Sequence, residues 1–503
     1  MPESLLSLAS HFHERTKYDP ATIAAKSRAL DWEQQPFPFK GYPGNSSIDL
    51  KPFLPSAENA DTRGNLPRLS KVLLASYGIT AQVSNGGSDV PLYLRAAPSA
   101  GGLYPAELYV ISRGAERLPA GVYNYASRSH ALVQVRQGEV WESLRHACFN
   151  HPSLAGAIYA LVVSAVFYRS VWRYEDRAYR RIFLDSGHLL GNISLTASLN
   201  RYRAYSIGGF QDQSVNGLLG VEMEIESAIA VVGLVDQLTQ PNQINPYPAL
   251  PSILHDTFSE VPDGELLPYF HRSTCIEHPV EQVEARPLEA LDDKYNWPFC
   301  SKVPMAVAPL NWGPQCKELH STLWQRRSTR RYSGQAIKLQ ELQKLLSFAY
   351  QPQDYVAQSL EPNPDYFALG LLETFLAVSN VEGLDAGCYY YAPHSQELRQ
   401  IRFKNFRQEL HYLCLGQALG RDAAVVVCQT ANLKAGVKYF GDRVYRYLHL
   451  DAGQWGQRLN LAAARLNLGA SGIGGYFDEQ VNEILGIPDE QAVVYLTTIG
   501  CPA

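Results

Sequence analysis

Twelve residues, Asp176–Gly187 (D-R-A-Y-R-R-I-F-L-D-S-G), return 266 positions later as Asp442–Gly453 (D-R-V-Y-R-Y-L-H-L-D-A-G). The same spacing pairs Ile207-Gly208-Gly209-Phe210 with Ile473-Gly474-Gly475-Tyr476. It also pairs Asp212, Val215, Asn216, Leu219 and Gly220 with Asp478, Val481, Asn482, Leu485 and Gly486. Upstream it sets Glu107 on Glu373 and Ala120–Tyr125 on Ala386–Tyr391. One spacing held over this many identities marks a tandem duplication. The chain must therefore fold as two copies of one unit, and 503 residues exceed one ordinary core in any case. The copies are expected to pack as an intramolecular pseudo-dimer; the competing arrangement is two independent beads on a string.

Local patterning fills in the unit. Strands are expected at Glu107–Ile111, Gly121–Tyr125, Ala155–Phe167 and Ile229–Val235, with a turn or short strand at Ser206–Phe210. Helices are expected at Leu66–Tyr77, Val140–Phe149, Asp176–Asn200 (long and amphipathic), Asp212–Leu219 and Leu339–Tyr350. The mixture is α+β. Leu30–Pro43 carries three prolines and four aromatic residues, which reads as an extended arm laying aromatic anchors on something else. Residues 241–314 are proline-rich with little periodicity and read as a linker draped over the surface. The expected organisation is a first half at 1–240, the linker at 241–314 and a second half at 315–503.

Composition excludes several classes. A net charge of −5 without blocks of like charge argues against nucleic-acid binding. The longest apolar run, Ala155–Tyr168, is too short to span a bilayer, and the N-terminus lacks a signal-peptide pattern. The eight cysteines form no C-x-x-C pair and read as reduced residues of a cytoplasmic protein. No metal site is expected; His11 and His13 lack carboxylate or cysteine partners and read as surface residues.

The copies differ where chemistry is expected. Arg95–Pro105 (R-A-A-P-S-A-G-G-L-Y-P) sets small residues between two prolines, leaving the backbone free for positive φ and close approach by a ligand. In the second copy the matching stretch is Pro364–Leu371, where Asp365, Tyr366, Phe367 and Ala368 replace Ser99, Ala100, Gly101 and Gly102. Conversely, Arg326–Gly334 (R-R-S-T-R-R-Y-S-G) interleaves arginines with hydroxyls, a donor set suited to a dianionic phosphate. Its counterpart falls on about Phe53–Asp61, which has no arginine. One half keeps a ring-accepting turn and the other a phosphate-binding turn, as a single site shared across the interface requires.

These motifs as a set resemble the SagB-type dehydrogenases of the nitroreductase superfamily. The resemblance rests on R-x-x-P-S-A-G-G-L-Y-P-x-E-L-Y, G-V-Y-N-Y, Y-E-D-R-A-Y-R, L-D-S-G-H and I-G-G-F-x-D, with R-R-S-T-R-R-Y-S-G resembling the superfamily's N-terminal phosphate motif. It implies two nitroreductase-like halves, each a central antiparallel sheet flanked by helices, with FMN at their interface. Carried over by residue, one composite site takes Pro98, Ser99, Ala100, Gly101 and Gly102 from the first half. From the second it takes Arg326, Arg327, Ser328, Arg330, Gly474 and Gly475; the opposite site is expected to be empty. The resemblance further implies a soluble oxidoreductase moving hydride to or from a small organic or modified-peptide substrate, with NAD(P)H as a candidate reductant. The chain is expected to act as a monomeric pseudo-dimer. The family's azoline oxidases use a Lys-Tyr pair; here Lys438-Tyr439 lies in the second half and Arg173-Tyr174 in the first. Arginine is no base near neutral pH, which leaves Tyr174 for proton transfer. A degenerate, non-catalytic flavin-binding or scaffold protein of a biosynthetic complex is the alternative.

Overall fold

The computed structural model describes residues 7–26, 29–54, 64–85, 88–115, 117–239, 249–279, 293–362, 367 and 369–503. Each half is built on a seven-stranded antiparallel sheet. In the first the order is Ser47–Asp49, Ala131–Gln137, Gly121–Ala126, Ala106–Ser112, Ala157–Val166, Glu226–Asp236, Tyr202–Ile207. In the second it is Lys302–Pro304, Glu397–Arg402, Gly387–Ala392, Leu372–Val378, Val425–Asn432, Gln491–Gly500, Gly469–Ile473. The two orders match strand for strand. The α+β class and the antiparallel sheets flanked by helices are thus as the sequence implied. Ala157–Val166 lies inside the sheet, between Ala106–Ser112 and Glu226–Asp236, with both faces covered, so its mostly Ala, Val, Leu and Ile run needs no polar alternation.

The halves share one core. A single apolar cluster runs from Phe12, Leu161 and Ile182 of the first half to Leu371, Tyr445 and Leu450 of the second. At its centre two 22-residue helices, Ala178–Leu199 and Val444–Arg465, cross at Gly187 and Gly453. These glycines are repeat mates. A Cβ on either would strike the other helix's backbone, so both must be glycine for so close a crossing. Intimate packing, rather than beads on a string, follows directly. Ala178–Leu199 does not present the solvent face expected of an amphipathic helix. Nearly every residue is buried, including Arg180, Arg181, Asp185, His188 and Asn192, because its polar side meets the other half.

The linker is more ordered than its composition implied, and a helix precedes the arm. Residues Leu8–Arg15 form a helix, and so do Leu266–Ser273 within the expected linker. The two correspond: Leu8, Phe12, His13 and Thr16 match Leu266, Phe270, His271 and Thr274 in sequence and burial. Part of residues 241–314 thus belongs to the second repeat and lies in the shared core, not over the surface; 240–248 and 280–292 fall outside the described residues. His13 is buried rather than exposed, with Nδ1 3.2 Å from the Tyr445 hydroxyl. The aromatic arm contributes one anchor at the turn. Phe39 stacks on the Arg95 guanidinium, which also faces Tyr77 and Tyr104 and donates to the Pro38 carbonyl at 2.6 Å. Trp32 and Phe37 remain exposed. All eight cysteines are free thiols, and no helix among the described residues is long and apolar enough to cross a membrane.

Two mirrored ion clusters lock the halves together. Asp478 accepts from Arg177 at 2.8 Å, from Arg180 at 2.6 Å and from the Tyr18 amide at 3.1 Å. Asp212 accepts from Arg443 at 2.7 Å, from Arg446 at 2.8 Å and from the Ile276 amide at 2.8 Å. All four guanidiniums and both carboxylates are buried. Burial alone would raise both carboxyl pKa values, but the paired arginines outweigh it and hold them below the ordinary range. The D-R-x-Y-R repeat that revealed the duplication supplies the arginines of this clamp.

Candidate functional site

Between the halves lies a cleft with about 90 Å3 of free volume, walled by residues far apart in sequence. The first half supplies Pro98, Ser99, Ala100 and Gly101, with Arg181, Leu184, Asp185 and His188 from its central helix. The second supplies Ser328 and Arg330, with Asn460, Ser471, Gly472, Gly474 and Tyr495. Seven residues singled out from sequence therefore meet in one cavity: Pro98, Ser99, Ala100, Gly101, Ser328, Arg330 and Gly474.

The turn is held from beneath. Gly101 and Gly102 have φ of +64° and +67°, conformations L side chains rarely adopt. Ser99 donates to Asp185 at 2.6 Å, and the Ala100 amide donates to the same carboxylate at 3.1 Å. Burial pushes the Asp185 carboxyl up to about 7, against those two bonds and the Arg181 charge. A Cβ on Gly101 would lie 2.8 Å from the Tyr174 hydroxyl and 3.5 Å from Arg173 Cδ. Arg173 and Tyr174 thus stand beside the turn. Tyr174 stacks under the Arg181 guanidinium at 3.8 Å, and burial raises its pKa. Arg181 donates to the Gly474 carbonyl at 3.0 Å, so this arginine ties the ring-side turn to the opposite glycine segment.

The arginine-rich segment divides its work. Arg326 is buried and reaches across the interface to donate to the carbonyls of Ala96 (3.0 Å) and Arg95 (3.3 Å), just ahead of the turn. Arg327 donates to the carbonyls of Thr80 (3.1 Å), Trp324 (3.1 Å) and Arg326 (2.7 Å). Arg330 is exposed at the cleft and Ser328 half-buried. Arg326 therefore braces the approach to the turn and Arg327 the strand Ile79–Asn85, while Ser328 and Arg330 face the cavity. Gly102 and Gly475 do not line it; Gly475 packs against Leu415. Lys438 and Tyr439 are also elsewhere, on the helix Leu433–Phe440 that packs against Leu8–Arg15 and the second central helix.

Sequence reading missed Arg181, Asp185, His188 and Tyr495. Arg181 carried a signal: at the repeat spacing it faces Tyr447, a polar-for-aromatic exchange inside an otherwise matched motif.

The pseudo-symmetric cleft is closed. Only about 10 Å3 stays free there, between Cys148, Phe149, His151, Gly208, Gly209, Leu250 and Phe367. Phe367, the mate of Gly101, packs on Tyr447, the mate of Arg181, with ring centroids 4.9 Å apart. Both rings crowd Gly208, and Leu250 from the linker crowds Gly209. Among the described residues lining it there is no arginine or lysine. Pro364, Asp365, Tyr366, Ala368 and 55–63 lie outside the described residues, so the comparison rests here on Phe367 and Leu369–Leu371. A larger cavity of about 210 Å3 lies in the second half among Leu369, Gly370, Glu373, Tyr390 and Trp455. It is mostly apolar, with Glu373 and Asp451 but no basic residue in its lining, and Gly370 stands there where the first half has the buried Tyr104 ring.

The comparisons agree with this architecture. One family model, the Nitroreductase family, matches twice, at residues 68–234 and 323–501. A protein from Anabaena variabilis named as a nitroreductase, known from a crystal structure, is 56% identical, with a TM-score of 0.93, over 99% of this chain and all of that one. A Methanocaldococcus jannaschii protein named as a nitroreductase, MJ1384, is 31% identical over 172 residues, 34% of this chain and 86% of that protein. The microcin B17-processing protein McbC of Escherichia coli is 27% identical over 143 residues, 27% of this chain and 52% of McbC. With both repeats matched by one model, the chain belongs to the nitroreductase family.

Proposed function

We propose that the chain is an FMN-dependent oxidoreductase with one composite flavin site, moving hydride to or from a small organic or peptide substrate. The observation that carries this reading is the asymmetry of the clefts. One keeps the glycine turn, the Ser328–Arg330 donors and free space; its mate is filled by Phe367, Tyr447 and Leu250.

The residues fit the group. Gly101 admits no side chain beside Tyr174, as a flat ring lying against the turn requires. A buried guanidinium nitrogen, Nη1 of Arg181, has no hydrogen-bond partner and lies in the cleft lining, which leaves a donor for an anionic ligand. Ser328 and Arg330 would hold the phosphate, and Ser99–Gly101 with Gly474 would flank the ring. When bound, the isoalloxazine supplies the two-electron chemistry. The chain's own part is to bind, orient and exclude water. Asp185 fixes the turn through Ser99 and Ala100. Arg181 sets positive charge beside the ring pocket. Tyr174, at the turn, holds its phenolic proton at neutral pH and is placed to donate it to substrate. Arg173 cannot act as a base, which favours a reductive or hydride-transfer role over the base-assisted oxidation that a Lys-Tyr pair serves.

Purified protein should be yellow and hold one FMN per chain, bleached anaerobically by NADH or NADPH. Two flavins per chain would overturn the composite site. A bound flavin that neither nicotinamide nor dithionite reduces would favour the non-catalytic reading.

A further inference from the structure

At the floor of the open cleft a buried relay crosses between the halves four residues deep. Tyr495 Oη lies 2.9 Å from His188 Nε2, and His188 Nδ1 lies 2.9 Å from Gln457 Oε1. Gln457 Nε2 donates to Asn192 Oδ1 at 2.6 Å, and Asn192 Nδ2 donates to the Ser76 carbonyl at 3.1 Å. That carbonyl belongs to the last turn of the helix Asn65–Tyr77, where no helical amide follows to claim it.

The carbonyl can only accept, and this fixes every role above it. Asn192 must turn its amide nitrogen to Ser76, so its oxygen must face Gln457. Gln457 then turns its nitrogen to Asn192 and its oxygen to His188. His188 must carry its proton on Nδ1. Burial draws its pKa down to about 4, with Arg326 adding to the effect against the Gln457 bond, so the ring is neutral at pH 7 and Nε2 is a bare lone pair. Among the described residues, the donor to that lone pair is the Tyr495 hydroxyl. Its proton is committed to His188, and only lone pairs of the phenol oxygen remain for the cavity.

The position of Tyr495 says what meets those lone pairs. The strand Gly469–Ile473 runs from the phosphate segment, where the Thr329 amide donates to Ala470 at 2.9 Å, toward Gly474 and the ring-side turn. Gly472 lies midway, and any Cβ there would collide with the Tyr495 hydroxyl. A strand advances about 3.3 Å per residue, so Tyr495 sits between the two ends of the site, where a polyol linker would pass.

We infer that the Tyr495–His188–Gln457–Asn192 relay makes Tyr495 a dedicated acceptor for a ribityl hydroxyl of the flavin. This rests on the flavin reading above, and it adds a recognition element for the sugar-alcohol chain rather than for phosphate or ring.

Two measurements test it. In wild-type protein without ligand, imidazole 15N shifts of His188, assigned by its loss in His188→Gln, should report the neutral Nδ1–H tautomer; an Nε2–H tautomer overturns the relay. In equilibrium titrations, Tyr495→Phe should weaken FMN and riboflavin by about tenfold each, the scale of one lost hydrogen bond. Lumiflavin, which has the ring without the ribityl chain, should bind wild type and variant alike. An equal loss for lumiflavin, or none for FMN, overturns the assignment. If wild-type protein binds none of the three flavins, the functional reading fails and the ribityl assignment with it, while the tautomer still decides the polarity of the relay.

Discussion

The two clefts occupy equivalent places in a repeated unit, yet one is open and the other filled. The two ion clamps beside them have hardly diverged. Asp478 with Arg177 and Arg180 mirrors Asp212 with Arg443 and Arg446, down to the arginine that reaches the nearby glycine carbonyl: Arg177 to Gly474 at 3.4 Å, Arg443 to Gly208 at 3.0 Å. The difference follows from what each arrangement tolerates. Losing one member of a buried ion cluster strands a charge in the core. Filling a cleft with an aromatic ring buries apolar surface and strands nothing. A duplicated interface thus keeps both clamps, whereas only one of its two clefts needs to stay open.

The sharpest way to break this contrast is to exchange the residues that create it. Gly101→Phe should abolish FMN retention through purification, because the ring enters the space before Tyr174 and the backbone is held at positive φ. Phe367→Gly should leave one FMN per chain, since Tyr447 and Leu250 still crowd the other cleft. Flavin absorbance per chain measures both. Retention in Gly101→Phe, or a second FMN in Phe367→Gly, would put the asymmetry elsewhere.

Next in size is the clamp. Asp212→Ala and Asp478→Ala should each destabilise by about 3–5 kcal/mol, because two buried guanidiniums lose their counter-ion. Only Asp478→Ala should also weaken FMN, as Arg177 bridges that clamp to Gly474 at the open cleft. Both carboxyls lie below their ordinary pKa when folded. Their contribution is therefore present above pH about 4, the unfolded value, and is lost as pH falls through the folded value. In denaturant titrations wild type should lose its advantage over both variants at low pH. An advantage that persists unchanged would remove the ion pairs from the account.

Asp185 has the opposite sign. Its folded pKa of about 7 is above the unfolded value near 4, so the folded state loses stability as pH rises between them. Asp185→Asn should be no more than about 1–3 kcal/mol from wild type, and the gap should move in favour of the variant from pH 5 to pH 8. A gap independent of pH would place the charge of Asp185 in solvent contact.

The repeat made the fold legible. A chain that repeats D-R-x-Y-R, L-D-x-G and I-G-G at one spacing must build its second half like its first, and the glycines of L-D-x-G proved to be the crossing point of the central helices. Ser99–Gly101, Ser328 and Arg330 were legible because the copies disagree there, and Gly474 because the family resemblance carried it over. Less so were side chains whose work is invisible in one dimension. Arg326 looks like a phosphate ligand beside its neighbours, but burial turns it to the Ala96 carbonyl. His188 and Asn192 look like polar positions on an amphipathic helix until a second helix covers them. The N-terminal helix Leu8–Arg15 and its linker counterpart Leu266–Ser273 escaped notice because their match sits at a spacing of 258 rather than 266, and the second lies in a proline-rich stretch.

The smallest effect discriminates most finely. Leu250 is half-buried, and its side chain lies over Gly209 at the closed cleft while its carbonyl accepts from the Tyr447 hydroxyl at 2.7 Å. Leu250→Ala leaves that backbone bond and removes only the apolar cover. The cost should be about 1 kcal/mol, below that of a fully buried leucine because part of the side chain already meets water. FMN should remain at one per chain, since Phe367 and Tyr447 still stack on each other and no basic side chain is gained. A second FMN in this variant would make the linker the plug, and the loss of the second site a matter of what lies over it rather than of the residues that form it.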